Sequence, residues 1–321
     1  MSTNTSDSCY NETNHIKVVP VVMYSFIAII GFILNSIALV VFCSNGRSRS
    51  QTIVYMTNLA IADLLLILTL PMRIYYHLGY NLLSQWLCNI LGLVLKANMY
   101  SSIYLLMSIC FDRCLAVTLP MSARVQGLRK KAPLVCFGIW LLTFGASIPI
   151  YFSKHINNST ETQRHCFDSL PVFAINPFVV IPTLVLGFGV PLVLMLICSW
   201  FLIRAVRRST VAQTDLVDSS KISKMIITSL LIFVISFVPY HATLLLLSLN
   251  RENIPCPMLA AHRHSLMVAC FNTVLDPVAY YFTTDTFRKK VDMGVVWRML
   301  PLNSQSSDLN KRTRSPDRQD S

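Results

Sequence analysis

Charged residues are scarce in this 321-residue chain, and their scarcity argues against an ordinary soluble protein. Asp, Glu, Lys and Arg make up 13% of the sequence, and 54% of the residues are hydrophobic. The apolar residues gather into seven segments, each long enough to cross a bilayer, which takes roughly 20 helical residues. Backbone groups in lipid are satisfied only in helices or closed barrels, so we predict an all-α, seven-transmembrane helix bundle. The segments cover approximately residues 20–43, 52–77, 85–117, 131–151, 175–207, 220–249 and 259–283.

Other absences exclude further classes of protein. No internal repeat and no helix broken at mid-membrane is evident, although a transporter is expected to have both. No lysine occurs between 259 and 283, so a light-sensing pigment with a Schiff base is excluded. We find no catalytic constellation and expect no enzyme. The first 19 residues are polar, so no cleavable signal peptide is expected, and the first segment itself directs insertion.

Basic residues are nearly missing from one side of the predicted bundle. Most of the 27 Lys and Arg residues lie in the loops after segments one, three and five or in the tail, whereas the opposite side carries Lys17, Lys154, Arg164 and Arg251. Cytoplasmic loops are the basic ones, which predicts an extracellular amino terminus and a cytoplasmic tail in a multi-pass protein of the cell membrane. The net charge of +12 then faces anionic lipid and cytoplasmic partners. Nucleic acid is not an expected partner, because the charge is dispersed over membrane loops.

The chain forms one membrane domain with polar ends. We divide it into an extracellular terminus (1–19), the membrane domain (20–283), a juxtamembrane segment (284–299) and a disordered tail (300–321), which is rich in Ser, Arg and Asp. Glycosylation sequons on the predicted outer side begin at Asn4, Asn11, Asn157 and Asn158.

Four of the ten cysteines lie at or beyond the outer membrane surface: Cys9, Cys88, Cys166 and Cys256. An even set on the oxidising side indicates two disulfides. A bond between Cys88 and Cys166 would hold the loop before segment five over the bundle, and Cys9 with Cys256 would tie the terminus to the last outer loop. Four cysteines allow three pairings, and the sequence does not choose among them.

One motif in each segment, taken in order, resembles the rhodopsin-like family of G-protein-coupled receptors over residues 20–297. The matching residues are Asn35, Asp63, Asp112-Arg113-Cys114, Trp140, Pro191, Phe237-Val238-Pro239-Tyr240 and Asp276-Pro277-Val278-Ala279-Tyr280. Phe287-Arg288 resembles the start of the family's short amphipathic helix along the inner leaflet, which we place at 284–299. The resemblance implies a heterotrimeric G protein, arrestin and receptor kinases as partners.

The resemblance also implies an inner switch. Arg113 would pair with Asp112 at rest and turn toward the G protein when the helices open; such a buried pair suits a switch. Pro239 and Pro277 would supply helix kinks. Phe237 and Tyr280 belong to the same predicted switch.

A polar pocket is implied at Asp63, Ser102, Asn272 and Asp276, where relatives hold a sodium ion. Oxygen ligands and two carboxylates suit a small hard cation, although two neighbouring acids alternatively share a proton. No other cofactor is expected.

Departures from the common family pattern indicate which branch of the family the chain resembles. Segment three reads Phe-Asp-Arg-Cys, Asp276 replaces the more usual Asn, and Phe237 replaces the more usual Trp. With Leu70-Pro71-Met72-Arg73 and Met99–Ile103, these features resemble the branch of nucleotide and lysophospholipid receptors, nearer to lysophosphatidic-acid receptors outside the main lipid-receptor cluster.

Cationic residues in the outer half of the bundle predict an anion-binding cup on segments two, three, six and seven. The predicted ligand-binding residues are Arg73, Lys96, Tyr100, His241, Arg251 and Arg263. Arg251 and Arg263 are alternatively solvated rim charges. Leu244–Leu247 would border an acyl slot or face lipid. The leading prediction is a receptor for an anionic lysophospholipid; a nucleotide receptor, a proton sensor that uses the outer histidines and a non-signalling decoy are the alternatives.

Overall fold

The computed structural model describes residues 17–43, 50–80, 83–119, 122–157, 166–167, 176–211, 216–250 and 254–283. Side chains are described in these ranges except at 150–157, 206–211, 216–223 and 281–283. Secondary structure in the described ranges is helical, without strands. The helices are α1 (Val18–Cys43), α2 (Gln51–Ile67), α3 (Leu70–His77), α4 (Gln85–Thr118), α5 (Ala123–Arg129), α6 (Ala132–Asn157), α7 (Pro177–Leu184), α8 (Val190–Val211), α9 (Leu216–Leu249), α10 (Cys256–Cys270) and α11 (Asn272–Thr283).

These helices form seven spans, which confirms the predicted fold class. Within the described residues, six stretches are long and apolar enough to cross a membrane: α1, α2 with α3, α4, α6, α7 with α8, and α9. The seventh span consists of α10 and α11, which meet at the non-helical Phe271. Its two halves contain 15 and 12 residues. Observed and predicted ends differ by a few residues, as expected for helix termini.

Local sequence explains where several helices begin and where span two breaks. The hydroxyl of Ser84 accepts a hydrogen bond from the backbone N–H of Leu87, and Asn176 Oδ1 accepts one from Phe178, which caps α4 and α7. Pro71 cannot donate to the carbonyl four residues earlier, so α2 ends at Ile67 and α3 starts after a two-residue turn. This break separates Arg73 from the regular helix that carries Asp63.

Span five contains a π-helical turn, Val185–Gly189, just before Pro191. Proline removes a backbone donor, and the Tyr104 hydroxyl donates to the carbonyl of Leu186 at 2.9 Å in the widened turn. A side chain at Gly187 would place its Cβ 2.9 Å from the Tyr100 ring, so glycine permits the close approach of spans three and five. The turn therefore has a local cause and a partner across the bundle.

Spans one and seven are joined where Pro277 disrupts α11. Pro277 leaves the carbonyl of Thr273 without its helical donor, and Asn35 Nδ2 donates to that carbonyl at 2.7 Å. Trp140 Nε1 similarly donates to Asn58 Oδ1 at 3.0 Å and ties span four to span two. Two of the motif residues thus satisfy polar groups that would be costly in lipid.

Several predictions fall outside the described residues. These are the segments 284–299 and 300–321, Cys9, Arg251, Asn4, Asn11 and Asn158. Asn157 is described only as the last residue of α6. The bond between Cys88 and Cys166 is present, and Cys256 is disulfide-bonded.

Candidate ligand and switch sites

A cavity of about 350 Å³ lies between spans one, two and seven, at the end of the bundle where α1 begins. Three cationic residues, two histidines and no acidic residue contribute to its described lining. Because the charges are of one sign, the cavity attracts anions. Its lining is Lys17, Val18, Val19, Pro20, Tyr24, Arg73, His77, Phe167, Ala260, Arg263, His264, Leu266 and Met267.

Arg73 forms the buried cationic wall of this cavity. It is 2% exposed, and Nη2 donates to the carbonyl of Leu91 at 2.8 Å. Its Nε is also buried but has no hydrogen-bond partner among the described residues. A guanidinium in the lining of a cavity is suited to binding an anionic oxygen, because charge-assisted bonds of this kind are strong.

Phe167 covers Arg73 from the loop before span five. The guanidinium carbon lies 4.3 Å from the centroid of the Phe167 ring, a cation–π contact. The adjacent Cys166 is bonded to Cys88 at the start of α4, with 5.4 Å between the Cα atoms. The disulfide therefore fixes the aromatic cover over the cation.

The rim of the cavity is built by the start of α1 and the end of α3. The backbone N–H of Lys17 donates to the carbonyl of His77 at 3.1 Å, and the rings of Tyr24 and His77 stack with centroids 5.8 Å apart. Arg263 and His264 complete the rim from α10. Both cationic rim residues, Lys17 and Arg263, are less buried than Arg73.

Three of the predicted ligand residues form a separate, deeper cluster and do not line the cavity. The ammonium of Lys96 donates to the hydroxyl of Tyr240 and lies 4.0 Å from the centroid of that ring. His241 stacks on Phe188 at 4.2 Å, and Tyr100 meets it edge-on. Lys96, Tyr100 and His241 turn toward spans five and six, whereas the described cavity lies between spans one, two and seven, so these three residues do not line it.

Polar contacts also join spans six and seven beside this deeper cluster. Thr243 Oγ1 lies 3.0 Å from His262 Nδ1 and 2.9 Å from Ser265 Oγ. His241 and His262 are almost fully buried, whereas His77 and His264 lie at the cavity. Of the aliphatic run on α9, Leu244 and Leu247 point inward and Leu245 and Leu246 outward, as helical periodicity requires.

The residues of the predicted switch differ in their contacts from the resting arrangement expected for them. Arg129, on α5 of the loop after span three, binds Asp112 in a bidentate manner, with Nε–Oδ1 2.8 Å and Nη2–Oδ2 3.3 Å. Thr52 donates to Asp112 Oδ2 at 2.7 Å. The hydrogen bonds to Asp112 raise the pKa of the Arg129 guanidinium above its ordinary value. Both oxygens of Asp112 are therefore occupied.

The expected pair between Asp112 and Arg113 is absent, and that prediction is wrong. Arg129 and Thr52 occupy both carboxylate oxygens of Asp112 in its place. Arg113 Nε is buried without a hydrogen-bond partner in the described part of the chain. Of the other predicted switch residues, Tyr280 is buried edge-on against Phe42, and Phe237 is buried edge-on against Phe233.

The predicted polar pocket consists of four residues, each 0% exposed: Asp63, Ser102, Asn272 and Asp276. Asn98 donates to Asp63 Oδ1 at 3.3 Å, and Asn272 donates to Asp276 Oδ2 at 3.5 Å. Asp63 Oδ2, Ser102 Oγ, Asn272 Oδ1 and Asp276 Oδ1 are buried without hydrogen-bond partners among the described residues. Four unsatisfied oxygens match the ligand preference of a hard cation.

Comparison with known proteins agrees with this architecture. The model of the "7 transmembrane receptor (rhodopsin family)" matches residues 34–280. The chain belongs to the rhodopsin family of seven-transmembrane receptors. The receptor is 34% identical to lysophosphatidic acid receptor 6 of Homo sapiens, over 91% of this chain and 88% of the relative. It is 32% identical to lysophosphatidic acid receptor 4 of Mus musculus (92% and 82%) and 31% identical to cysteinyl leukotriene receptor 1 of Mus musculus (92% and 86%).

Membership of this family confirms a multi-pass membrane receptor that is not an enzyme. Sequence reasoning missed four residues at the receptor's candidate sites: Lys17, Tyr24, Phe167 and Arg129. Two of them carried a usable signal, because Phe167 follows a predicted disulfide cysteine and Lys17 immediately precedes the first span. The contact between Arg129 and Asp112 depends on a short loop helix that hydropathy does not reveal.

Proposed function

We propose that this receptor binds an anionic lysophospholipid, such as lysophosphatidic acid, at the outer cavity and activates a heterotrimeric G protein at its cytoplasmic face. The observation that carries the proposal is Arg73, a buried guanidinium in a cavity whose described lining has no acidic residue; its Nε has no hydrogen-bond partner among the described residues. A phosphate group supplies several anionic oxygens, and arginine binds such groups well. Arg73 fixes the head group, while Lys17 and Arg263 add charge at the rim.

The lining beyond these cations supports a ligand with a hydrocarbon chain. Val18, Val19, Leu266 and Met267 are apolar and adjoin the cationic residues on one side of the cavity. Burying an acyl chain against such side chains is favourable in proportion to the apolar area covered. The relatives that are named lysophosphatidic acid receptors support the same ligand class.

The topology is part of the proposal. The amino terminus is extracellular and the tail cytoplasmic, in accord with the basic loops and with Cys88, Cys166 and Cys256, which form disulfides at one end of the bundle. Arrestin and receptor kinases act on the cytoplasmic side. This orientation places the cavity outside and Asp112 inside.

Nucleotide exchange on purified G proteins tests the function directly. Receptor reconstituted in vesicles is presented with oleoyl lysophosphatidic acid, uncharged monooleoylglycerol or ATP, and also tested at stepped external pH. We expect exchange with the phosphate-bearing lipid alone. A response to ATP without lipid would favour a nucleotide receptor, a response to pH alone a proton sensor, and binding without exchange a decoy.

A sodium ion at the polar pocket is a further part of the proposal. Asp63, Ser102, Asn272 and Asp276 offer the unsatisfied oxygens that would hold it. When bound, the ion supplies positive charge that balances two buried carboxylates. These residues then hold spans two, three and seven together.

Replacing Asp63 with Asn should abolish a sodium-specific stabilisation. An ion that binds the folded state raises its stability with concentration, so the Tm of the wild-type receptor should increase in NaCl relative to choline chloride. D63N removes one anionic ligand and should show equal Tm values in the two salts. Ser236→Ala, which removes another buried hydroxyl from span six, is the matched control and should keep the sodium response. Dependence on pH in place of sodium in the wild type would instead support a shared proton.

A further inference from the structure

A cluster of cysteines that form no disulfide lies between spans three and five, in the half of the bundle that holds Arg113. Cys110 and Cys114 are four residues apart on α4 and therefore share one face of that helix. Cys198 meets them from α8, and all three side chains are buried. The cluster thus consists of one thiol on span five and two on span three.

The contacts of Cys110 place its sulfur against the part of α8 that carries Cys198. Cys110 Sγ donates to the carbonyl of Met195 at 3.9 Å and lies 4.0 Å from Ser199 Oγ. The thiol of Cys198, which lies between these two residues in the sequence, interacts with the thiols of both Cys110 and Cys114. A disulfide requires two side chains that face each other at short range, and thiols in contact across a helix pair are close to that arrangement.

Exposure and contacts indicate which thiols would react. Cys198 is 6% exposed and Cys110 is 1% exposed, so a small oxidant reaches Cys198 first. Cys110 is the expected partner because its sulfur also contacts the residues on both sides of Cys198. Cys114 is a third thiol of the same cluster.

The cluster adjoins the arginine that faces the G protein in the proposed function. Cys110 lies three residues before Arg113 on α4, which is about one helical turn. Arg113 Nε is buried, so neighbouring spans must separate before a G protein can reach it. A covalent bond between spans three and five at this depth would oppose that separation.

We propose that hydrogen peroxide oxidises Cys198 and Cys110 to a reversible disulfide, which joins span five to span three and prevents activation of the G protein. Disulfides on the reducing cytoplasmic side are usually transient and redox-sensing, as this one would be. The effect on activation rests on the proposed function, whereas formation of the bond can be tested without it.

The reaction is balanced with peroxide as the oxidant. The Cys198 sulfur attacks one peroxide oxygen, the O–O bond breaks, and the leaving hydroxide takes the thiol proton to become water. The Cys110 sulfur then attacks the sulfur of the resulting sulfenic acid, and its proton leaves with the hydroxyl group as a second water. The pair of thiols loses the two electrons that reduce the peroxide. A small thiol reverses the bond by exchange.

Wild-type receptor reconstituted in phosphatidylcholine vesicles, with and without exposure to hydrogen peroxide, tests the bond and its effect. Mass spectrometry of non-reduced digests should find the peptides of Cys110 and Cys198 linked after exposure. Nucleotide exchange stimulated by oleoyl lysophosphatidic acid should fall in proportion to the fraction of receptor that carries the link. Dithiothreitol should restore exchange, and receptor that was never oxidised receives the same reductant to account for any loss of the Cys88–Cys166 bond.

Serine variants assign the effect to the pair. Cys198→Ser and Cys110→Ser nearly keep the side-chain size but cannot form the bond, so their exchange should be the same with and without peroxide. Cys114→Ser is the matched control, because it removes the third thiol of the cluster and should remain as sensitive to peroxide as the wild type. Each variant is compared with its own untreated sample, so a lower yield of folded receptor does not alter the comparison.

Three results would overturn the proposal. These are the absence of linked peptides after exhaustive exposure, a link from Cys198 to Cys114 in place of Cys110, and unchanged exchange in receptor that carries the link. Failure of the unoxidised wild type to respond to the lipid would instead refute the proposed function, and the peptide analysis would still decide whether the bond forms.

Discussion

Arg73→Gln is expected to weaken the response to oleoyl lysophosphatidic acid by about 30- to 100-fold, since hydrogen bonds to charged groups contribute about 2–3 kcal/mol and each 1.4 kcal/mol is tenfold. The substitution removes the positive charge, the Nε donor and the Nη2 bond to the Leu91 carbonyl, and keeps a polar side chain at this position. Potency is measured as ligand-stimulated nucleotide exchange, with surface expression quantified in parallel.

Substitutions at residues near Arg73 distinguish a specific contact with Arg73 from a general effect of positive charge at the cavity. Met72→Gln alters an exposed side chain next to Arg73 and should leave potency unchanged. Lys17→Gln and Arg263→Gln remove partly exposed rim charges and should cost less than about fivefold, since such charges contribute at most about 1 kcal/mol. Their effects should also diminish at high ionic strength, whereas that of Arg73 should persist. Wild-type potency in R73Q at normal expression would contradict the assigned head-group site.

Hydropathy and charge predicted the spans because lipid imposes a strict length and polarity on each helix. The same logic predicted that Asp63 and Asp276 would face the bundle interior, where both are fully buried. Arg73 lies ten residues beyond Asp63 in the sequence, and it lines the described cavity near the end of span two. These features depend mainly on residues near in sequence or on a constraint that every span shares.

The composition of the cavity could not be predicted in the same way. Lys96 and Arg73 both occupy outer halves of spans, yet their side chains contact Tyr240 and the Leu91 carbonyl respectively. The direction of these two side chains depends on the break at Pro71 and on the packing of α4 against α9. Hydrophobic periodicity in the sequence does not predict either feature. Phe167 reaches Arg73 only because the disulfide closes a loop over the bundle. Such contacts arise from tertiary geometry.

The contacts of Asp112 and Arg113 could not be predicted from the sequence either, and these contacts bear on function. Asp112 and Arg113 are neighbours in sequence, but Asp112 binds Arg129 and Thr52, and Arg113 keeps a buried Nε without a described partner. Arg129 therefore acts as a positioning residue that holds the carboxylate away from Arg113. In this arrangement Arg113 is available to a G protein without first breaking an ion pair.

Arg129→Ala is accordingly expected to lower ligand-stimulated nucleotide exchange about fivefold, as for loss of a partly exposed pair worth about 1 kcal/mol. A buried carboxylate that loses its partner takes the nearest cation, so Asp112 would compete with the G protein for Arg113. Arg124→Ala removes an exposed arginine from the same α5 helix and should leave exchange unchanged. Exchange is measured with purified G protein at saturating ligand.

The double variant R129A/D112N distinguishes positioning from direct contact. Asparagine can still accept the hydrogen bond from Thr52 but carries no charge to capture Arg113, so exchange should recover toward the wild-type rate. If Arg129 instead contacted the G protein itself, the double variant would remain as impaired as R129A. Normal exchange in R129A alone would show that Asp112 stays away from Arg113 without help from the loop. Recovery in the double variant would identify the contact of α5 with Asp112 as the feature that keeps Arg113 ready for its partner.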